Sequence, residues 1–69
     1  MEEEFYESMM DGALGAAFEK GLTVRLYLAN GVQMMGTIEG FDPETIGIRV
    51  KEQLRYVCRS RLSTLEVLE

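Results

Sequence analysis

Histidine is absent from this chain, cysteine and proline occur once each, and no apolar run approaches the roughly 20 residues that a membrane span needs. Each absence removes a class of function. Without histidine the chain lacks the side chain most often used as general acid or base near neutral pH. The lone Cys58 can form neither an intrachain disulfide nor a C-x-x-C zinc pair, and on an alternating strand it reads as an inert, small apolar residue. There is no phosphate-cradling G-x-x-x-x-G-K-[ST] stretch and no nucleophile elbow. Glu39 and Asp42 could suggest a carboxylate pair, but an odd separation along a strand sends them to opposite faces. A protein with no enzymatic activity, no cofactor and no metal is expected. No secretory leader is expected either, since Met1 is followed by Glu2, Glu3 and Glu4 where bases and then apolar residues would stand. The expectation is a cytoplasmic protein with no membrane partner.

An excess of positive charge is also missing, because the net charge is -5. Its distribution matters more than its sum. Residues 1–20 hold the six acids Glu2, Glu3, Glu4, Glu7, Asp11 and Glu19 against the single base Lys20, and the rest of the chain balances six bases against six acids. Between Arg49 and Arg61 five bases face only Glu52, so a locally positive surface is compatible with the sequence.

A chain of 69 residues makes one small domain, and a domain of that size buries only about 60% of the surface its unfolded form exposes. With no disulfide or metal to help, oligomerisation is the expected staple. The chain divides near Gly21. Before it, Phe5, Met9, Ala13 and Ala16/Ala17 recur at helical spacing, acids stand at the start, and Gly21 is placed to cap the end. The small residues Gly12, Ala13, Gly15, Ala16 and Ala17 suit close packing on a sheet, with a bend expected at Gly12 or Gly15. After Gly21 the period becomes two. Val24, Leu26 and Leu28 alternate with Thr23, Arg25 and Tyr27, and Asn30-Gly31 predicts a type I′ hairpin turn. Val32 to Phe41 returns, Asp42-Pro43-Glu44 turns, and Ile46, Ile48 and Val50 alternate. Lys51-Glu52-Gln53 then leads to the apolar set Leu54, Tyr56 and Cys58, and a last strand runs from about Leu62 to Leu68.

The long return strand carries glycine at 36 and 40. A straight strand of that length would overrun so small a core, so Gly36 and Gly40 mark bends. The reading is mainly β: a small SH3-like open barrel of five bent antiparallel strands (22–69) behind an acidic N-terminal helix (1–21). Its free edges are expected at Arg55-to-Ser60 and Leu62-to-Leu68, with the Val57 amide as the candidate for pairing between subunits. Head-to-tail pairing that closes gives a homo-oligomeric ring.

The stretches VRLYLANGVQMMGTIEGFD and YVCRSRLSTLEV resemble the first and second motifs of the Sm-like (LSm) family, and the wording is nearest to its bacterial Hfq branch. The resemblance covers nearly the whole chain. It implies rings of six or seven subunits, closed by pairing of the fourth and fifth strands, that bind single-stranded RNA on their faces. Carried over position by position, it points to Tyr27, Gly31, Val32, Gln33 and Met34, with Thr64 as a hydroxyl partner, for A-rich RNA. A tyrosine ring suits that role because it can stack on any base. On the opposite, pore face it points to Arg59 and Ser60, since an arginine there can stack and bind phosphate.

That second face departs from the family. Pro43 and Glu44 stand where Hfq has an amide and an aromatic, Cys58-Arg59-Ser60 replaces its Tyr-Lys-His, and Ile46 takes the place of the asparagine of other Sm-like proteins. The rim reads Phe18-Glu19-Lys20-Gly21, too weakly basic to capture RNA duplexes. Two readings stay open: a ring that binds single-stranded, A-rich RNA, and a ring that serves as a protein-interaction scaffold with weak or no RNA binding.

Overall fold

The computed structural model describes residues 8–68; the expected helical Phe5 and the acids Glu2, Glu3, Glu4 and Glu7 lie outside the described residues. Helix α1 (Met9–Lys20) starts at Ser8, whose hydroxyl accepts the Asp11 amide at 3.0 Å, and stops at Gly21. It runs unbroken through Gly12 and Gly15. Its buried stripe is Leu14 and Ala17, with Met10 packed against the core, while Met9 is 93% exposed and Ala16 is also exposed. Of the expected Met9, Ala13 and Ala16/Ala17 line only Ala17 is fully buried, so the packed face is rotated toward Leu14 and Met10. Leu14 decides the direction, because burying one leucine stabilises by about 1.5–3 kcal/mol and an alanine by far less.

Five strands follow: β1 (Thr23–Leu28), β2 (Gln33–Phe41), β3 (Thr45–Val50), β4 (Gln53–Cys58) and β5 (Leu62–Leu68), with a 3-10 turn at Arg59–Arg61. They form one antiparallel sheet in the order β4-β3-β2-β1-β5, so β4 and β5 are its edges, as the sequence predicts. Val24, Leu26, Ile38, Ile46, Ile48 and Val57 meet Leu14 and Ala17 in the core. Ile46 is fully buried, which explains why an apolar residue stands where the Sm-like resemblance expects asparagine. None of the described helices is long and apolar enough to cross a membrane.

The two glycines of β2 do different work. A Cβ on Gly36 would lie 2.0 Å from the Arg49 carbonyl oxygen, so β2 and β3 approach there in a way only glycine permits. At Gly40 a Cβ would meet nothing within 4 Å; the bend there comes from a bulge, since Ile38 pairs with Ile48 and Gly40 with Gly47, leaving Glu39 as the extra residue.

The β1–β2 turn is not type I′. Of Asn30 and Gly31 only Gly31 has a positive φ, at 91°. Leu28 pairs with Val32 around a three-residue loop in which the Gly31 amide donates to Leu28 O at 2.9 Å. That is a turn followed by a left-handed glycine bulge, and the Asn30 side chain strengthens it by accepting the Val32 amide at 3.0 Å.

The inward residue of β4 is Val57, so the Leu54, Tyr56 and Cys58 set faces away from the core and all three are exposed. Cys58 is not a core residue. The edge amide also differs from expectation. Arg59 N donates to Glu44 O at 2.9 Å, and antiparallel ladders alternate, so Val57 opposite Ile46 is the next bonded pair. The Val57 amide is spent inside the sheet; the outward-pointing amides of β4 belong to Leu54, Tyr56 and Cys58. By the same alternation, starting from Leu28 N to Val32 O at 2.8 Å, the outward groups of β5 are those of Leu65 and Val67.

Candidate nucleic-acid interface

Register assembles one candidate face. Tyr27 on β1 lies between Gln33 on β2 and Thr64 on β5, so three of the residues singled out in the sequence share one side of the sheet. Tyr27 is half-buried while Gln33 and Thr64 are exposed. A shallow depression of about 360 Å³ opens beside the ring, lined by Tyr27, Ser63, Thr64, Leu65 and Glu66. Gly31 and Val32 stand at the adjoining turn, where Val32 is exposed.

Met34 does not join this group. It lies opposite Leu26, and its side chain packs against the core from the other side of β2. There it lines a second depression of about 200 Å³ with Leu28, Asn30, Tyr56 and Arg61 among others. The exposed neighbour on the Tyr27 side is Met35, whose sulfur receives Arg25 Nη2 at 3.7 Å.

Two polar side chains missed in the sequence, Arg25 and Glu66, complete the face. The Tyr27 hydroxyl donates to Glu66 Oε1 at 2.9 Å, and Arg25 Nη1 donates to the same oxygen at 3.2 Å and to the Tyr27 hydroxyl at 3.3 Å. The bond with Tyr27, and then the charge of Glu66, raise the Arg25 pKa further above its ordinary value, so Arg25 is a permanent cation. The signal for Glu66 was present: two residues beyond Thr64 on one strand is the same face. Pairing of β5 with β1 had to be known first.

On the opposite side, Arg59 is already engaged. Its Nη1 donates to the Asp42 carbonyl at 2.8 Å and its Nη2 lies 2.8 Å from Asp11 Oδ1 on α1. Only 15% of the Arg59 side chain and 22% of that of Asp11 are exposed. The Asp11 oxygen is buried and has this ionic contact without an aligned hydrogen bond. Asp42 in turn fixes the turn around Pro43, accepting the amides of Glu44 at 2.9 Å and Thr45 at 2.7 Å. Ser60 is exposed in the 3-10 turn. In this arrangement Arg59 ties helix to turn and presents little of its plane to a base.

The basic run is thinned in the same way. Arg49 Nε sits 2.9 Å from Glu39 Oε2, so two of its five bases are neutralised by acids from elsewhere in the chain. Tyr56, 73% exposed, and Leu54 stand on the β4 edge and line an open depression of about 330 Å³ with Asp42 and Thr45. Among the described residues no group of three or more His, Cys, Asp or Glu is placed to hold a metal ion.

A capping helix on an open five-stranded antiparallel barrel, with an aromatic and two polar side chains in register beside the β1–β2 turn, defines an Sm-like protein. The family model described as Hfq protein matches residues 9–69. RNA-binding protein Hfq of Symbiobacterium thermophilum is 34% identical over 58 residues, covering 84% of this chain and 64% of that protein's length. A crystal structure of the pleiotropic translational regulator Hfq matches with a TM-score of 0.83 at 25% identity, covering 87% of this chain and 100% of that one. The chain belongs to the Hfq family.

Proposed function

We propose that the protein closes into a homo-oligomeric ring, hexameric or heptameric, and binds single-stranded, A-rich RNA on its Tyr27 face without catalysing a reaction. The observation that carries this reading is the register that sets Tyr27 between Gln33 and Thr64 beside an open depression. A base stacked on Tyr27 gains about 1–3 kcal/mol, Thr64 and Gln33 offer hydrogen bonds, and the Gly31–Val32 backbone leaves room for the strand to approach. Met34 contributes from the opposite side of β2, as packing under the turn. Relatedness to a protein named for RNA binding supports the same partner.

The ring is supported by the two edges. Their outward amides and carbonyls are unpaired within the described sheet, and the exposed apolar residues Leu54, Tyr56 and Val67 lie along them. Edge groups of this kind are covered in native proteins. Arg59 and Ser60 form the pore-face site, which stays weak while Asp11 holds Arg59.

The scaffold reading is favoured by one observation: Met9 and Phe18 are exposed on α1, the helix that also neutralises Arg59. Native mass spectrometry with and without short A-rich and U-rich RNAs separates the two. The RNA reading expects an intact ring carrying A-rich RNA, lost in Tyr27→Ala; a ring that takes up neither RNA at moderate salt favours the scaffold.

A further inference from the structure

We infer that Glu66 is a specificity-determining residue of the Tyr27 face, selecting bases that carry an exocyclic amino group (adenine, cytosine, guanine) against uracil. The inference rests on the proposed RNA reading of that face. Both acceptor directions of Glu66 Oε1 are filled, one by the Tyr27 hydroxyl at 2.9 Å and one by Arg25 Nη1 at 3.2 Å. Among the described residues no donor reaches Oε2. The side chain is 48% exposed and lines the depression beside the Tyr27 ring. A single carboxylate oxygen is thus held at the edge of the stacking surface by two bonds made to its twin.

The chemistry of that oxygen limits what can lie next to it. It accepts and cannot donate, so a phosphate placed there is repelled and a base edge with a free donor is preferred. Adenine N6, cytosine N4 and guanine N2 each present an amino group. Uracil offers only N3–H, flanked on both sides by carbonyl oxygens that repel a carboxylate. Arg25, 3.2 Å from the Glu66 carboxylate, keeps the net charge of the site near neutrality beside a polyanion. Tyr27 supplies stacking that ignores base identity, and Glu66 adds the discrimination stacking lacks.

The test is fluorescence anisotropy with labelled oligo(A), oligo(C) and oligo(U) on the intact oligomer, comparing wild type, Glu66→Gln and Tyr27→Ala. Glutamine keeps the size of Glu66 and can still accept from Tyr27, but it turns the free oxygen into an amide donor. Wild type is expected to favour oligo(A) and oligo(C) over oligo(U) by about tenfold or more, the scale of one hydrogen bond to a charged acceptor. Glu66→Gln should bring the three within about twofold while native mass spectrometry and circular dichroism show the same assembly and fold. An unchanged preference in Glu66→Gln, alongside loss of oligo(A) binding in Tyr27→Ala, overturns the role of Glu66 and leaves the RNA reading standing. Absence of binding by the wild type, or oligo(A) binding that survives Tyr27→Ala, overturns the RNA reading and this inference with it.

Discussion

Replacing Gly36 by alanine separates a glycine required by contact from one required by nothing nearby. A Cβ at 36 would stand 2.0 Å from Arg49 O, 2.8 Å from Arg49 C and 3.3 Å from Val50 Cα, all backbone atoms of β3. None of these can swing aside as a side-chain tip would, so β2 and β3 must separate, and the Thr37–Arg49 and Ile38–Ile48 pairs beside them loosen. Overpacking of this kind costs typically 1–3 kcal/mol; the backbone on the receiving side puts Gly36→Ala at the upper end, about 3 kcal/mol. A domain of this size has on the order of 3–10 kcal/mol in all, so a Tm loss of about 12–24 °C is expected. Gly40→Ala is the matched control. No atom lies within 4 Å of its Cβ and its φ is not in the left-handed region, so the smaller entropy of the unfolded chain should leave that variant neutral or up to about 1 kcal/mol more stable. Thermal melts by circular dichroism at one fixed protomer concentration compare the two, which matters because oligomer stability depends on concentration. A Gly36→Ala variant within about 1 kcal/mol of wild type, or a Gly40→Ala variant equally damaged, would refute the close-approach account.

Two further perturbations address the edge and the pore face. Tyr56→Pro should remove an outward amide and dissociate the oligomer into folded subunits, whereas Val57→Pro breaks the bond to Ile46 inside the sheet and should unfold the chain; native mass spectrometry with circular dichroism reads both, and a full oligomer of Tyr56→Pro would contradict the assigned edge. Asp11→Asn should release Arg59 at a cost of about 1–3 kcal/mol, since one partner of a mostly buried ion pair is left uncompensated, and should strengthen U-rich binding and steepen its salt dependence. U-rich affinity that does not move would mean Arg59 takes no part in RNA binding.

Alternation and turn chemistry made most of the fold legible. Val24 and Leu26 point inward as their spacing requires, the Asp42-Pro43-Glu44 turn stands where it was read, and Leu62–Leu68 is a strand. The sequence was insufficient where a local pattern permits two answers. Leu54, Tyr56 and Cys58 alternate with Arg55 and Val57, and either set could be named inward; pairing with β3 settles it through Val57 against Ile46. The run from Tyr27 to Met34 looks continuous in sequence, yet a two-residue period puts Gln33 and Met34 on opposite sides of β2. Partners far apart in the chain could not be joined from local pattern. Neither Asp11 beneath Arg59 nor Glu66 beside Tyr27 can be reached by spacing alone, because each contact exists only after helix and edge strand have docked.

Those distant partners decide what kind of binding surface the chain can offer. The five bases between Arg49 and Arg61 read as an attractive field for a polyanion, but Arg49 is held by Glu39 and Arg59 by Asp11, and Arg25 on the Tyr27 side is held by Glu66. Each pairing removes a charge that would otherwise release counterions from nucleic acid, and affinity built on such charges falls steeply as salt rises. Stacking on Tyr27 has no such dependence. If the Tyr27 face binds A-rich RNA, its affinity should therefore change only a few-fold between 50 mM and 200 mM salt, against the thousandfold or greater loss typical of proteins making many phosphate contacts. A steep salt dependence of A-rich binding would show that the ion pairs on that side open on contact with RNA, and that the free guanidinium groups of Arg25 and Arg49, more than the Tyr27 ring, hold the strand.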